Sequence, residues 1–324
     1  MTTRLRAHRD EGDRVQVWHG LDDVPRPDAG PCVVAIGKFD GVHRGHARVL
    51  AKARAYADEL GLPMYVVTFD PHPAAVLRPE IAPKMIGSLG DRLERLAANG
   101  ADAVLVVPFT LELAAVTAEQ ATRAVLVDAL HAKVVVVGAD FRFGSGAAGD
   151  VVMLRLMGAA YGYTVHAVDL QADGVDKFSS TRVRELLALG DVATAATILG
   201  RPYAVTGPVI RGEQRGRDLG FPTANLEIPD ELAAPLDGVY AGWLVDGADR
   251  YPAAISVGDN PTFAGASHRV EAYVLDRTDL DLYGKKVAVE FVEWIRDMLP
   301  FEGIEPLIEA MNGDVEDARR ILGL

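Results

Sequence analysis

Between residues 31 and 170, short apolar runs alternate with amphipathic stretches, and this alternation constrains the fold more than any other feature. The runs occupy 33–36, 65–69, 103–107, 134–137 and 164–168. They are rich in β-branched residues and nearly continuous, as strands buried on both faces of a sheet are. Helix-like segments lie between them at 44–60, 91–98, 118–131 and 150–160. The pattern predicts a parallel, doubly wound sheet that binds ligands at the carboxyl ends of its strands.

The second half of the chain has a different pattern. Short helices are predicted at 181–189 and 193–199, each stopped by a glycine, and Arg201-Pro202 then breaks the pattern. The β-rich segments 240–245, 253–257, 270–275 and 287–291 follow, which predicts a small antiparallel barrel, with one or two helices over 303–324 packed on it. The predicted fold class is α/β plus β-barrel, with domains over 1–200 and 201–324; 324 residues suffice for two cores.

Composition limits the classes of partner. The chain has 33 basic and 46 acidic residues, a net charge of -13, and no Lys/Arg tract, so we expect no nucleic-acid partner. The chain is expected to have no membrane partner either, for the reason that follows. Its polar start lacks a signal-peptide core, and no apolar stretch reaches the length of about 20 residues that spans a bilayer, so we expect a soluble, cytoplasmic protein. The single cysteine, Cys32, is predicted to be buried. Whether the chain forms a homo-oligomer is left open.

The segment GKFDGVHRGH, residues 37–46, follows the first predicted strand. Glycines permit a tight turn there, and the helix that follows offers backbone N–H groups to a nucleotide phosphate. His43 and His46 are three residues apart, so they share a face in the first helical turn, while Gly45 leaves room for close approach. A lone histidine is more often an ordinary surface or core residue. A pair at such a turn favours stabilisation of charge on a transferred phosphoryl group.

Three further segments lie where strand ends or helix starts face a ligand: FDPHP at 69–73, GADFRFG at 138–144 and SSTRVR at 179–184. The hydroxyls of the last segment could serve only to cap its helix, but with Arg184 one turn later they favour a pyrophosphate clamp. Asp140 could instead only cap its turn, and Phe141 and Phe143 could equally be core residues.

Together these motifs resemble the HxGH nucleotidylyltransferase superfamily, and within it the FMN adenylyltransferase module of the bacterial bifunctional riboflavin kinase/FAD synthetases, over residues 31–189. The resemblance implies a Rossmann-like domain in which His43 and His46 act on the ATP phosphates. It also implies ATP or phosphate binding by Gly37, Phe39, Asp40, Gly41, Gly45, Ser180, Thr181 and Arg184. The flavin would be bordered by Asp70, Pro71, His72, Asp140, Phe141 and Phe143.

A glycine- and arginine-rich segment, residues 207–226, carries the run GFPTAN at 220–225. Glycine richness alone is typical of many loops. The PTAN core nevertheless resembles riboflavin kinases, as do the segments 238–240, 260–263, 269–271 and 282–284, and this resemblance covers 203–322. It implies Thr223 and Asn225 at Mg²⁺ and Glu271 as the base toward the ribityl 5′-hydroxyl. It further implies ATP-phosphate binding by Gly207, Gly212, Arg217, Gly220 and Pro222.

The resemblance of both halves implies two ATP-dependent steps. Riboflavin is phosphorylated to FMN, and FMN is adenylylated to FAD with release of pyrophosphate, each step with Mg²⁺ as charge neutraliser. Two alternatives stay open at this point: a nucleotidylyltransferase with another acceptor, and a non-catalytic flavin-binding regulator. From residues alone, Glu271 could point to solvent, and Thr223 and Asn225 could be strand residues facing water.

Overall fold

The computed structural model describes residues 15–25, 30–170, 178–212, 220–259 and 268–324. These fall into two compact units. The first comprises the described residues up to Pro83 and from Leu89 to residue 170, and the second comprises Lys84–Ser88 and the described residues from 178 onward. Each unit is built on one six-stranded sheet. No helix in the described ranges is both long enough and apolar enough to cross a membrane.

The first unit contains a parallel sheet with helices between its strands. The strands are β1 (Gln16–His19), β2 (Cys32–Ile36), β3 (Met64–Asp70), β4 (Ala103–Pro108), β5 (Ala132–Gly138) and β6 (Thr164–Val168). The helices are α1 (Arg44–Leu60), α2 (Pro73–Leu77), α3 (Leu89–Ala98), α4 (Leu111–Ala114), α5 (Ala118–Thr122) and α6 (Val151–Tyr161). All five strands predicted in this part of the chain are confirmed, and β1 is an additional edge strand.

The strand order is β1-β4-β3-β2-β5-β6, and every pairing is parallel. One apolar cluster packs on each face of the sheet, which explains why the strands lack polar alternation. The order reverses between β2 and β5, because the connection after β2 runs to β3 on one side and the connection after β5 runs to β6 on the other. Such a switch point opens a crevice at the strands' carboxyl ends, and the segment 37–46 leaves β2 at this point.

One prediction for this unit is corrected by the structure and another is confirmed. The predicted helix over 118–131 is α5 followed by a π-helical stretch, Arg123–Ala129, in which the Leu130 N–H bonds the Val125 carbonyl. A five-residue hydrogen-bond span of this kind has no signature in a 3.6-residue apolar period. Cys32 is buried as predicted: its thiol donates to the Leu130 carbonyl at 3.0 Å, and burial raises its pKa to about 12.

The second unit contains an antiparallel sheet that curls into a nearly closed barrel. Its helices are α7 (Ser180–Ala188), α8 (Val192–Leu199) and α9 (Ile304–Leu322), and its strands are β7 (Tyr203–Pro208), β8 (Thr223–Ile228), β9 (Gly238–Asp246), β10 (Asp249–Asp259), β11 (His268–Val274) and β12 (Lys286–Asp297). The order is β7-β12-β9-β10-β11-β8, and an Ile210–Asn225 bridge joins the two ends. The predicted barrel is confirmed, and the tail forms one helix, α9.

Two contacts complete this unit. Arg296 on β12 makes a bidentate ion pair with Asp314 on α9, with both N–O distances at 2.7 Å, which fastens the helix to the barrel. The segment Lys84–Ser88 is remote in sequence but pairs with the barrel's β8–β9 connection: the Met85 N–H donates to the Glu231 carbonyl at 2.7 Å, and the Ala233 N–H donates to the Met85 carbonyl at 2.8 Å.

Candidate active sites

The turn after β2 has an unusual backbone. Phe39 and Val42 have positive φ values of 50° and 40°, beside Gly41 at 72°. Positive φ is strained for residues with a β-carbon, above all for β-branched valine, and strain of this kind collects at functional sites. Both side chains are buried, so packing holds the turn in this conformation. The turn delivers the chain to the start of α1.

His43 and His46 lie together at the amino end of α1. His43 is the N-cap, and its Nδ1 accepts the backbone N–H of His46 at 3.3 Å. The two rings stack with their centroids 3.7 Å apart and an 18° interplanar angle, and the Phe39 ring meets His46 edge-on at 5.3 Å. The prediction that both histidines share one face is confirmed. Gly45, between them, is buried.

His46 is held as a neutral imidazole. Its side chain is half-buried, and its Nδ1 is enclosed with no hydrogen-bond partner in the described chain. Burial lowers the pKa of His46 well below 6.5, and the neighbouring His43 and Lys38 lower it further. A neutral imidazole has one N–H donor and one acceptor nitrogen, so the His46 ring can donate a hydrogen bond to a phosphate oxygen.

The segments expected to border the flavin leave β3 and β5 at the same edge of the sheet. Asp70 ends β3, its peptide bond to Pro71 is cis, and His72 caps α2 by accepting the Ala74 N–H at 3.1 Å. Phe141 and Phe143 stack with centroids 5.4 Å apart, half-buried against one of the two core clusters, and Asp140 is exposed. The two phenylalanines therefore pack on the core and also retain exposed surface.

The segment 179–184 belongs to the second unit. Ser179 caps α7 by accepting the Arg182 N–H at 3.2 Å, so this hydroxyl performs the capping role considered above. Ser180 is half-buried and Thr181 is exposed at the first turn of the helix. Arg184 donates through Nε to the Lys84 carbonyl at 2.6 Å. The helix thus presents hydroxyls at its positive end, the arrangement expected of an anion site.

Three polar side chains meet on one face of the barrel. Strand register places Asn225 on β8 directly opposite Glu271 on β11. The Thr223 hydroxyl donates to the Glu271 carboxylate at 3.2 Å, and Asn225 Nδ2 donates to Thr223 Oγ1 at 3.1 Å. The prediction that Thr223 and Asn225 share a face is confirmed, and Glu271 points at them. Asn225 is 5% exposed, and its Oδ1 is buried without a hydrogen-bond partner among the described residues.

The loops around this cluster come from the predicted motifs. The Ile210 N–H donates to the Asn225 carbonyl at 2.9 Å, which brings Gly212 so close that a β-carbon there would lie 2.5 Å from Asn225 Oδ1. The Arg211 guanidinium lies over the Tyr283 ring at 5.6 Å. Gly207, near the end of β7, pairs with β12. Gly220 has a φ of 91°, and Pro222 is half-buried. Arg217 and the segment 260–263 lie outside the described residues.

One residue near the first site was not singled out by the sequence. Arg92 on α3 is 4% exposed, and its guanidinium contacts the chain at the ends of two neighbouring strands, at Lys38 after β2 and at Asp70 on β3. The sequence signal for it is weak: an arginine on an amphipathic helix is ordinarily read as a surface residue. Only the packing of α3 on the sheet reveals the burial.

Comparison with known proteins identifies relatives of the whole chain. A family model described as FAD synthetase matches residues 26–182, and one described as riboflavin kinase matches residues 199–322. The bifunctional riboflavin kinase/FMN adenylyltransferase of Escherichia coli K12 is 36% identical over 94% of this chain and 96% of its own. The protein of that name from Pseudomonas fluorescens is 37% identical over 95% and 98%.

One solved structure has the same fold over nearly the whole chain. A crystal structure described as a macrolide-efflux protein from Streptococcus pneumoniae is 32% identical, with a TM-score of 0.83 over 95% of this chain and 99% of its own. The resemblance drawn from the motifs is therefore confirmed across both halves of the sequence. With two family models matched in order and curated relatives aligned over nearly their full lengths, this chain belongs to the bifunctional riboflavin kinase/FMN adenylyltransferase family.

Proposed function

We propose that this chain makes flavin cofactors in two ATP-dependent steps: riboflavin is phosphorylated to FMN, and FMN is adenylylated to FAD. The observation that carries the proposal is the presence of two chemically distinct polar clusters. A stacked pair of histidines stands at a helix start in the first unit, and a Thr–Asn–Glu cluster stands on the barrel of the second. We assign adenylyl transfer to residues 1–200 and riboflavin phosphorylation to residues 201–324.

In adenylyl transfer, a phosphate oxygen of FMN attacks the α-phosphorus of ATP, and pyrophosphate leaves. The step needs no base, because the attacking phosphate is already ionised, so the protein's task is to place the reactants and stabilise charge. His43 and His46, at the positive end of α1, meet this requirement as hydrogen-bond donors to the phosphates.

The reactants of this step are proposed to be held by three segments of the first unit, at 37–45, 70–72 and 140–143. The phosphates would contact the turn at Gly37, Phe39, Asp40 and Gly41, and Gly45 on α1. Phosphate binding by Ser180, Thr181 and Arg184 at the start of α7 stays a prediction from the motif. The flavin would contact Asp70, Pro71 and His72 after β3 and Asp140, Phe141 and Phe143 after β5. In support, the two flavin segments leave strands on either side of β2, at the edge where parallel sheets bind ligands.

In riboflavin phosphorylation, Glu271 accepts the proton of the ribityl 5′-hydroxyl, the oxygen attacks the γ-phosphorus of ATP, and ADP leaves. A general base must be oriented toward the proton that it removes. The Thr223 hydroxyl donates to Glu271 at 3.2 Å and thereby fixes one carboxylate oxygen. Gly207, Gly212, Arg217, Gly220 and Pro222 are proposed to border the ATP phosphates.

The barrel cluster suits Mg²⁺. Asn225 Oδ1 has uncommitted lone pairs, and the Thr223 hydroxyl, which donates once and accepts once, keeps one lone pair. Mg²⁺ is typically held by one or two protein oxygens together with substrate phosphates. When bound, the ion would neutralise charge on the ATP phosphates.

A time course with the purified chain tests the proposal. The chain is incubated with riboflavin, ATP and Mg²⁺, and riboflavin, FMN and FAD are separated by chromatography. We expect FMN to appear first and FAD to follow. FMN without FAD would contradict the assignment of the histidine site, and the absence of both products would contradict the proposed function as a whole.

A further inference from the structure

Arg92 is a buried charge with an unusual set of partners. Arginine is rarely buried to 4% exposure unless its guanidinium is paired, because removing the charge from water is costly. Burial lowers its pKa, while the carboxylates of Asp70 and Asp40 act in the opposite direction. Asp40 is itself 2% exposed and lies in the turn that leads to the histidines.

The acceptors of Arg92 lie after β2 and at the end of β3. Nη1 donates to the Lys38 carbonyl at 3.1 Å and to the Phe69 carbonyl at 2.9 Å, and Nη2 donates to Asp70 Oδ1 at 2.9 Å. A further contact runs from Nη1 to Thr68 Oγ1 at 3.4 Å, and that hydroxyl donates to the Lys38 carbonyl at 3.0 Å. One guanidinium therefore joins the histidine turn to the segment proposed to hold the flavin.

This placement is not needed to hold α3 on the sheet. The helix is anchored by Leu96, which is fully buried, with Leu89 and Leu93 packed against the same core cluster. A buried ion pair is weak evidence for stabilisation, since an apolar side chain of similar volume often stabilises the fold as well or better. The Nε of Arg92 is also buried, with no hydrogen-bond partner in the described chain. The Nη groups of Arg92 donate to acceptors after β2 and at the end of β3.

We propose that Arg92 is a positioning residue for adenylyl transfer. By holding the Lys38 carbonyl, it fixes the turn that carries Phe39 to His43, and by holding Asp70 it fixes the neighbouring segment in the same frame. It also offsets the charge of two carboxylates at an edge that must admit anionic substrates. The inference rests on the proposed adenylyl transfer of the first unit.

The test compares Arg92→Met and Arg92→Lys with a matched control, Arg54→Met. Arg54 is a half-buried arginine at the opposite end of the same sheet, where it donates to Asp102 at 2.7 Å and to the Gly100 and Leu62 carbonyls at 3.3 and 3.4 Å. Each variant of the full chain is assayed for FAD formation from FMN and for FMN formation from riboflavin. Thermal unfolding is measured in parallel.

We expect Arg92→Met to lower kcat for FAD formation about 100-fold, because misplacement of a reacting group by about 1 Å costs that much. KM for FMN and ATP should change by less than about threefold, since both Nη atoms of Arg92 already donate to acceptors of the protein. Arg92→Lys should lose about 10-fold, because an ammonium keeps the charge but cannot reproduce the planar fork. Arg54→Met should lower the unfolding temperature and leave kcat unchanged. FMN formation should be unaffected in all three.

Several outcomes would overturn the inference. One is an Arg92→Met chain with wild-type kcat; another is an Arg54→Met chain that loses kcat as steeply, which would make the loss a matter of stability. If Arg92→Met does not fold, Arg92→Lys decides, and wild-type kcat there overturns the inference. A wild-type chain that forms no FAD overturns the proposed function first, so the two failures are distinguishable.

Discussion

The two candidate sites are proposed to perform related phosphorus chemistry, and they are held in different ways. The histidine site stands on a turn with positive φ at Phe39 and Val42, and contacts from a distant helix fix its position. The barrel site stands on two adjacent strands, where the hydrogen-bond ladder places Asn225 opposite Glu271. The first should therefore be sensitive to changes in supporting residues far along the chain, and the second mainly to changes in the cluster and its immediate cover.

The sharpest way to separate the sites is Glu271→Gln. Loss of a general base costs between 10²- and 10⁴-fold, so FMN formation should fall about 10³-fold. Glutamine keeps the size of the side chain and can still accept the Thr223 hydroxyl. Added FMN should be converted to FAD at the wild-type rate, as measured by chromatography of the products.

The control for this variant is Glu293→Gln, at an exposed glutamate on β12 of the same barrel. It should leave both rates unchanged. If Glu271→Gln kept its rate of FMN formation, or lost both reactions together, the assignment of one base to one site would be wrong.

A second separation acts in the opposite direction, through His46→Asn. Removing one charge-stabilising donor costs 10²- to 10³-fold in comparable sites, so FAD formation should fall about 100-fold while FMN accumulates from riboflavin. His131→Asn is the matched control, because His131 is exposed and its φ of 48° is one that asparagine adopts readily. Equal losses in the two variants would remove His46 from the site.

Gly212→Ala tests how closely the barrel cluster is covered. The added β-carbon would lie 2.5 Å from Asn225 Oδ1, so either the amide or the loop must shift. Because small displacements of positioning groups are costly, kcat for FMN formation should fall about 10-fold with FAD formation from FMN intact. Gly313→Ala on α9, where nothing lies within 4 Å of the new β-carbon, should leave both rates intact. Unchanged kinase activity in Gly212→Ala would show that the loop yields freely.

The smallest effect concerns pH and the stability of the first unit. The pKa of His46 is lowered well below 6.5 in the folded chain, so as pH falls below about 6.5 the unfolded state binds the proton first. The stabilising contribution of neutral His46 is therefore present above that pH and declines below it. The wild type should lose its advantage over His46→Asn as pH falls from about 7.5 to about 5.5.

The free energy of unfolding of the first unit alone can be measured at each pH by hydrogen exchange of the β2 and β3 amides, corrected for the intrinsic pH dependence of exchange. His131→Asn should follow the wild type at each pH. Parallel profiles for wild type and His46→Asn would mean that burial of this imidazole does not affect stability.

The sequence predicted the elements well and the sites in part. The two units follow from the pattern of apolar segments along the chain. The shared face of His43 and His46 and that of Thr223 and Asn225 follow from local spacing, because the members of each pair are three and two residues apart. Strand β1 was missed, since four residues of mixed polarity at a sheet edge resemble a loop. Arg92 and the cover by Gly212 were missed because they depend on packing between segments that no period in the sequence connects.

The segment Lys84–Ser88 has a consequence for dissecting the protein into parts. It interrupts the chain of the first unit, yet Met85 exchanges two backbone hydrogen bonds with Glu231 and Ala233 in the second. An excised fragment that starts after residue 177 would lose both hydrogen bonds, and each loss would lower the free energy of unfolding by about 0.5–1.5 kcal/mol. The second unit is thus discontinuous in sequence, and a separately expressed barrel would need this five-residue segment restored, as a fusion or an added peptide, to regain its full stability.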